Sequence, residues 1–170
     1  GFLHGEQASP EQDPKSRRPP RVLIASRTHS QLGQLVREMR KTAYRPQMCV
    51  LGSREHYCIN KEVMKSSSKG EDCKERLRNN TCGQFHNVHK LAGHRELKEG
   101  GQMEVHDIED LVGLGKRVKG CPYFTSRLLS QEARIIFCPY NYLIDPLIRE
   151  SMDVDLKGAA IILDEAHNVE

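Results

Sequence analysis

Two groups of residues in this chain have types and spacings that can do chemistry. The first is Asp164 and Glu165 in ILDEAH, which follow the apolar run Ala159 to Leu163. In an open α/β sheet the ligand crevice lies beyond the carboxyl ends of the strands, so acidic residues placed there face a ligand. In nucleotide hydrolysis one such carboxylate holds the magnesium ion that bridges the phosphates. A second group orients or deprotonates the attacking water. Asp164 is assigned to the metal and Glu165 to the water, with His167 on the loop linking nucleotide state to the rest of a motor. The plain alternative is an acidic helix start after a buried strand, with Asp164 as its cap.

The phosphate-cradling partner of such a pair, GxxxxGK[ST], is absent from the sequence. Its nearest approach is Gly115 and Lys116 in LVGLGKRV, with Arg117 where Ser or Thr is required and Asp110 where the first Gly belongs. That segment is rejected as a decoy. The expectation is a fragment whose phosphate loop lies N-terminal to residue 1 and which does not turn over ATP alone.

The second group is made of cysteines. Six occur, at positions 49, 58, 73, 82, 121 and 138. Cys49 and Cys138 fall inside apolar runs, where a free thiol acts as a small hydrophobe. Cys58, Cys73, Cys82 and Cys121 sit in or bound a long polar stretch, with 14, 8 and 38 residues between them. Four thiolates gathered at one point would order a segment that has no core of its own. Zinc knuckles pair cysteines two to four residues apart, and no such pair exists here. The spacing favours an iron-sulfur cluster over zinc. Free thiols remain a third option, and His56, His86 and His89 keep a mixed cysteine and histidine zinc site open.

These groups need elements to position them. RVLIAS (21–26) and MCVLGS (48–53) read as strands, and Leu32, Leu35, Val36 and Met39 line one face of a helix from Ser30 to about Thr42. Further on, a helix is expected around Tyr123 to Glu132, a strand over Ala133 to Cys138, and a helix near Pro139 that Pro146 ends or kinks. Strands alternating with helices predict an α/β parallel sheet interrupted by an irregular insertion, in which only Asp107 to Gly115 is clearly helical, capped by Asp107. Residues 1–20, rich in Pro, Ser and charge, read as a disordered linker. The apolar content of 37% sits below the usual globular range, so much of the chain is expected to be loop.

No apolar run approaches the roughly 20 residues of a membrane span, and no secretory signal is visible, so a soluble intracellular protein is expected. A net charge of +3 tolerates a polyanionic partner without demanding one. Lys74, Arg76, Arg78, Lys116, Arg117 and Lys119 could follow a phosphate backbone or form a solvated face. Arg54 could bond a cluster sulfur, a phosphate or a surface carboxylate. Tyr123 and Phe124 could stack on a base or belong to the core.

The segments ASRTHSQ (25–31), LGSREHYCIN (51–60), CPYFTSR (121–127), IIFCPYNYLID (135–145) and ILDEAHNVE (162–170) resemble, in order, the signature segments of the XPD family of superfamily 2 helicases. The resemblance covers residues 21–170. It implies a partial RecA-like parallel sheet interrupted by an irregular, mostly helical iron-sulfur cluster insertion. The first motor domain would occupy 21–53 and 122–170, with the cluster insertion over 54–121.

The activity implied is that of an ATP-dependent 5′ to 3′ DNA helicase in DNA repair, using Mg²⁺ and ATP and a 4Fe-4S cluster in the nucleus. Its partners would be single-stranded and forked DNA and repair proteins, with no membrane. By the same resemblance Cys58, Cys73, Cys82 and Cys121 match the cluster ligands, and Asp164 and Glu165 match motif II. Arg27, Thr28 and His29 match motif Ia, which lies on the DNA strand, and Arg54 and Tyr123 join the DNA-contact set. One departure is visible: CGQFHNVHK lacks the aromatic that relatives carry directly after the third cysteine.

Overall fold

The computed structural model describes residues 19–168, so most of the expected N-terminal linker falls outside the described residues. Four strands, β1 (Val22–Ser26), β2 (Met48–Val50), β3 (Ile135–Pro139) and β4 (Ala160–Leu163), form one sheet in the order β2-β3-β1-β4. Every pairing is parallel. Each apolar run expected to be a strand is one.

Consecutive residues Ile136, Phe137 and Cys138 on β3 are all buried, which a strand achieves only when both its faces are covered. Cys49 and Cys138 have no exposed surface, and burial pushes both thiols up, that of Cys138 to about 12. They are core hydrophobes, as their strand positions implied. β4 pairs with β1 alone among the described strands, and its four residues are exposed.

Between β1 and β2 runs α1 (His29–Lys41), which packs on β1 and β3 through Leu32 and Val36. Thr28 caps it in a reciprocal box with Gln31, satisfying amides that the first turn leaves unpaired.

The insertion is mostly helical, as the resemblance implied, although its sequence showed only one clear helix. Between β2 and α7 (Pro122–Glu132) it holds α2 (Arg54–Tyr57), α3 (Lys61–Lys65), α4 (Lys69–Arg78), α5 (Val88–Ala92) and α6 (Ile108–Val118). About 52% of the described structure is helical, so less of it is loop than the low apolar content implied. Helices of four or five residues are too short to display an apolar period, and of these only α3 is started by a side-chain cap. Asn60 receives the amides of Glu62 and Val63 at the head of α3. Asp107 caps α6 as expected, but α6 runs on to Val118 and ends at Lys119 in the left-handed conformation.

The insertion is also strapped to α1. Arg40 donates from Nε to the Val105 carbonyl at 3.0 Å and pairs with Asp110.

After β3 come α8 (Asn141–Ile144) and α9 (Pro146–Met152). Pro146 ends the first and, lacking an amide hydrogen, suits the first turn of the second.

Gly115, the glycine of the decoy phosphate loop, lies inside α6. A Cβ there would stand 2.5 Å from Pro122 Cγ and 2.9 Å from the Gly120 carbonyl. It is a packing glycine that lets α6 seat on the first turn of α7. Gly115→Ala is expected to destabilise the chain by about 1–3 kcal/mol, outweighing the ~1 kcal/mol of helix propensity gained. Urea denaturation reads this as a lower midpoint, and an unchanged or higher midpoint would contradict the close packing.

Candidate functional site

The carboxyl ends of β1, β3 and β4 meet at one edge of the sheet. The Asp164 amide donates to the Ala25 carbonyl at 2.8 Å, and the Tyr140 amide to the Ser26 carbonyl at 3.1 Å. The Tyr140 hydroxyl donates to the Asp164 carbonyl. Burial and the carboxylates of Asp164 and Glu165 raise the Tyr140 phenol. Asp164 is half-buried, whereas Glu165 is exposed in the left-handed region at φ 56°. Glu165 Oε2 lies 3.4 Å from His167 Nδ1. The three residues expected at a hydrolytic site are thus brought together, on the crevice side of the sheet. Tyr140 is a neighbour that the sequence did not single out, because CPYNYL reads as the start of a helix.

Arg27, Thr28 and His29 leave the same edge from β1. Arg27 and Thr28 are exposed, although the Thr28 hydroxyl is committed to the α1 cap. They line a cleft of about 570 Å³ with His29, His56, Tyr140 and Asn141. The His29 and His56 rings lie 4.1 Å apart, centroid to centroid. Burial, and then the neighbouring His56, lower His29 to about 4. Between pH 6.5, the usual value, and about 4 the unfolded chain takes up this proton and the folded chain does not. Acidification through that window should therefore cost stability, and His29→Gln should flatten the loss. Urea unfolding at a series of pH values checks this; parallel curves for the two proteins would contradict it.

The four cysteines of the insertion come from separate elements. Cys58 follows α2, Cys73 lies within α4, Cys82 stands in the loop beyond it, and Cys121 is the residue before α7. Cys73, Cys82 and Cys121 are buried. Burial, with the nearby Cys73 and Cys82, raises the Cys58 thiol. Burial, with Cys58 and Cys82, pushes Cys121 up to about 12. Each of the four thus acts on at least one other, and they share one neighbourhood, which Cys49 and Cys138 do not enter.

Among the described residues no three His, Cys, Asp or Glu side chains are placed to hold a single metal ion. His56 is stacked on His29, and His86 and His89 line a separate cleft with Phe85 and Phe124. A mixed histidine site is not assembled. Thiols brought from four separate elements are the donor type that an iron-sulfur group would take. Three buried thiols and the half-buried Cys58 ionise together only around a cation that offsets their charge.

One expectation for DNA contact, the stacking of Tyr123 on a base, needs correction. Tyr123 is 4% exposed, and the Arg54 guanidinium lies 4.4 Å above its ring. A ring so covered has no face for a base. Arg54 is half-buried over this ring rather than in a surface ion pair: its Nε is buried without a hydrogen-bond partner, and its charge favours the Cys58 thiolate. Cation and ring hold α2 against α7 beside the cysteines. Lys74 and Arg117 are paired with Glu71 and Glu96, at 2.8 and 2.7 Å.

Near Cys82 the missing aromatic is replaced by polar packing. Gln84 Oε1 lies 3.6 Å from Cys82 Sγ and 3.3 Å from Asn60 Nδ2, and its carbonyl receives the Cys121 amide at 2.8 Å. Asn60 and Gln84 each stand two residues after a cysteine, the one signal that could have marked them.

The family model described as DEAD_2 matches residues 24–170, from β1 through both carboxylates. The chain belongs to the DEAD_2 family. Among its relatives are the Fanconi anemia group J protein homolog of Gallus gallus, 47% identical over 157 residues, and Regulator of telomere elongation helicase 1 of Mus musculus, 47% identical over 154. Each alignment covers 89% of this chain and 12% of the relative, so this DEAD_2 segment spans about an eighth of their length. HDIEDLVGLGKRVKGCPYFTSR and IIFCPYNYLIDPLIRESMDVDLKG look nearer to the group J member, but equal identity does not order the two.

A solved XPD helicase chain matches with a TM-score of 0.55 at 23% identity, covering 88% of this chain and 25% of that one. A truncated XPD chain matches with 0.52 at 20%, covering 88% and 41%. These establish the fold: a partial RecA-like parallel sheet carrying a helical insertion. No helix among the described residues is long and apolar enough to cross a membrane.

Proposed function

We propose that the full-length protein is an ATP-dependent 5′ to 3′ DNA helicase of DNA repair and genome maintenance, acting in the nucleus on single-stranded and forked DNA with repair proteins as partners. The observation that carries this is the placement of Asp164, Glu165 and His167 on the same sheet edge as Arg27, Thr28 and His29. A nucleotide site and a strand-contact segment on one edge are what a motor needs if hydrolysis is to move DNA. The relatives support the same reading, since one is named a helicase.

Within that reading Asp164 holds the Mg²⁺ of ATP, which neutralises phosphate charge when bound. Glu165 orients and deprotonates the attacking water, and His167, 3.4 Å from Glu165, steadies it and passes the nucleotide state onward. Arg27 and the cleft beside it receive the phosphate backbone of single-stranded DNA. Cys58, Cys73, Cys82 and Cys121 hold a 4Fe-4S cluster, which supplies rigidity to an insertion built of short helices. The rigid insertion then serves as the obstacle that parts the duplex ahead of the motor.

The test uses the full-length protein with ATP and a duplex bearing a 5′ single-stranded tail. Strand separation that stops without ATP or without the tail is the expected result. ATP-independent annealing, or separation that needs a 3′ tail instead, would overturn the proposal.

A further inference from the structure

We propose that Asn60 is a positioning residue that acts through Cys82 to raise the reduction potential of the cysteine-held cluster. This rests on the reading of the four cysteines as cluster ligands, but it concerns a residue with no cysteine chemistry of its own.

Asn60 is 9% exposed and uses both ends of its amide. Its Oδ1 receives the amides of Glu62 at 3.0 Å and Val63 at 3.4 Å, which caps α3. Backbone amides can only donate, so the end that faces them is the oxygen. The orientation of the side chain is thereby settled, and Nδ2 must face the other way. There it lies 3.7 Å from Cys82 Sγ, within hydrogen-bond reach of an atom as large as sulfur, and 3.3 Å from Gln84 Oε1.

Gln84 fixes the arrangement from the far side. Its side-chain oxygen receives Asn60 Nδ2, and its backbone carbonyl receives the Cys121 amide at 2.8 Å. One buried amide therefore ties together α3, which follows Cys58, the Cys82 sulfur and the strand of chain leading to Cys121. A side chain there merely for space would not present a polar hydrogen to a sulfur.

An N–H aimed at a thiolate withdraws negative charge from it. The effect is larger for whichever state of the cluster carries more negative charge, which is the reduced one. Uptake of one electron, with no bond or proton exchanged, is therefore favoured by the Asn60 amide and opposed by its loss. Asn60→Ser is the informative change, because Ser keeps an oxygen to cap α3 and deletes the N–H that reaches Cys82.

Full-length protein is purified without air and its iron counted. Dithionite, the electron donor, then titrates it against mediators while electron paramagnetic resonance follows reduction. Asn60→Ser is expected to hold wild-type iron and to become half-reduced at a more negative potential. The same iron with an unchanged or more positive potential overturns the proposal. If Asn60→Ser loses iron, Gln84→Leu, which removes the acceptor that orients the amide, decides the matter: a more negative potential supports the tuning and an unchanged one sinks it. Absence of iron from the wild-type protein would instead overturn the cluster reading, and the tuning with it.

Discussion

Cys73→Ser, made in protein purified without air, is expected to remove the visible absorbance and most of the iron, whereas Cys138→Ser leaves both in place. Cys73 lies buried in α4 and its charge acts on Cys58, so it belongs to the neighbourhood that also includes Cys82 and Cys121. Losing one of four ligands exposes the cluster and also releases α4, whose residues between Lys69 and Arg78 include Cys73 as their one buried side chain. Binding energy and folding energy are the same quantity in such a segment. The insertion should accordingly become sensitive to protease in Cys73→Ser while the sheet survives. Cys138→Ser, on β3 with no exposed surface, should cost only the burial of a hydroxyl without a partner, about 1–3 kcal/mol. Equal bleaching by the two variants would show that the ligands have been wrongly assigned.

Glu165→Gln in the full-length protein is expected to cut DNA-stimulated ATP hydrolysis by about 10²–10⁴-fold while leaving nucleotide affinity near its wild-type value. Glutamine keeps the shape of the side chain and loses the ability to take a proton. Asp164→Asn should differ in kind, weakening the Mg²⁺-dependent part of nucleotide binding itself. The distinction follows from placement. Asp164 is half-buried and its backbone is bonded to Ala25 and Tyr140, whereas Glu165 is exposed in a left-handed turn beside His167. Turnover near wild type in Glu165→Gln, measured by phosphate release, would refute the role given to it.

The sheet was legible in the sequence because each strand is a short apolar run with both faces buried or an edge beside one, a pattern that survives without tertiary context. α1 was legible for the same reason, its buried Leu32 and Val36 repeating at helical spacing. The insertion was not. α2, α3 and α5 bury only one to three side chains each, too few to show a period, and only α3 has a side-chain cap, Asn60. The candidate site divides similarly. Asp164, Glu165 and His167 are contiguous and follow a strand, so local sequence placed them. The four cysteines are scattered over 64 residues, and spacing alone could favour iron over zinc but could not exclude the histidines. That His56 is taken up by His29, and that Arg54 covers Tyr123, are facts of packing between elements far apart in the chain.

The most direct test is the metal content of the wild-type chain purified without air, by iron, acid-labile sulfide and zinc analysis alongside the visible spectrum. The expected result is a brown protein with about four iron and four sulfide per chain and little zinc. A colourless protein with about one zinc per chain would contradict the assignment of Cys58, Cys73, Cys82 and Cys121 to an iron-sulfur cluster.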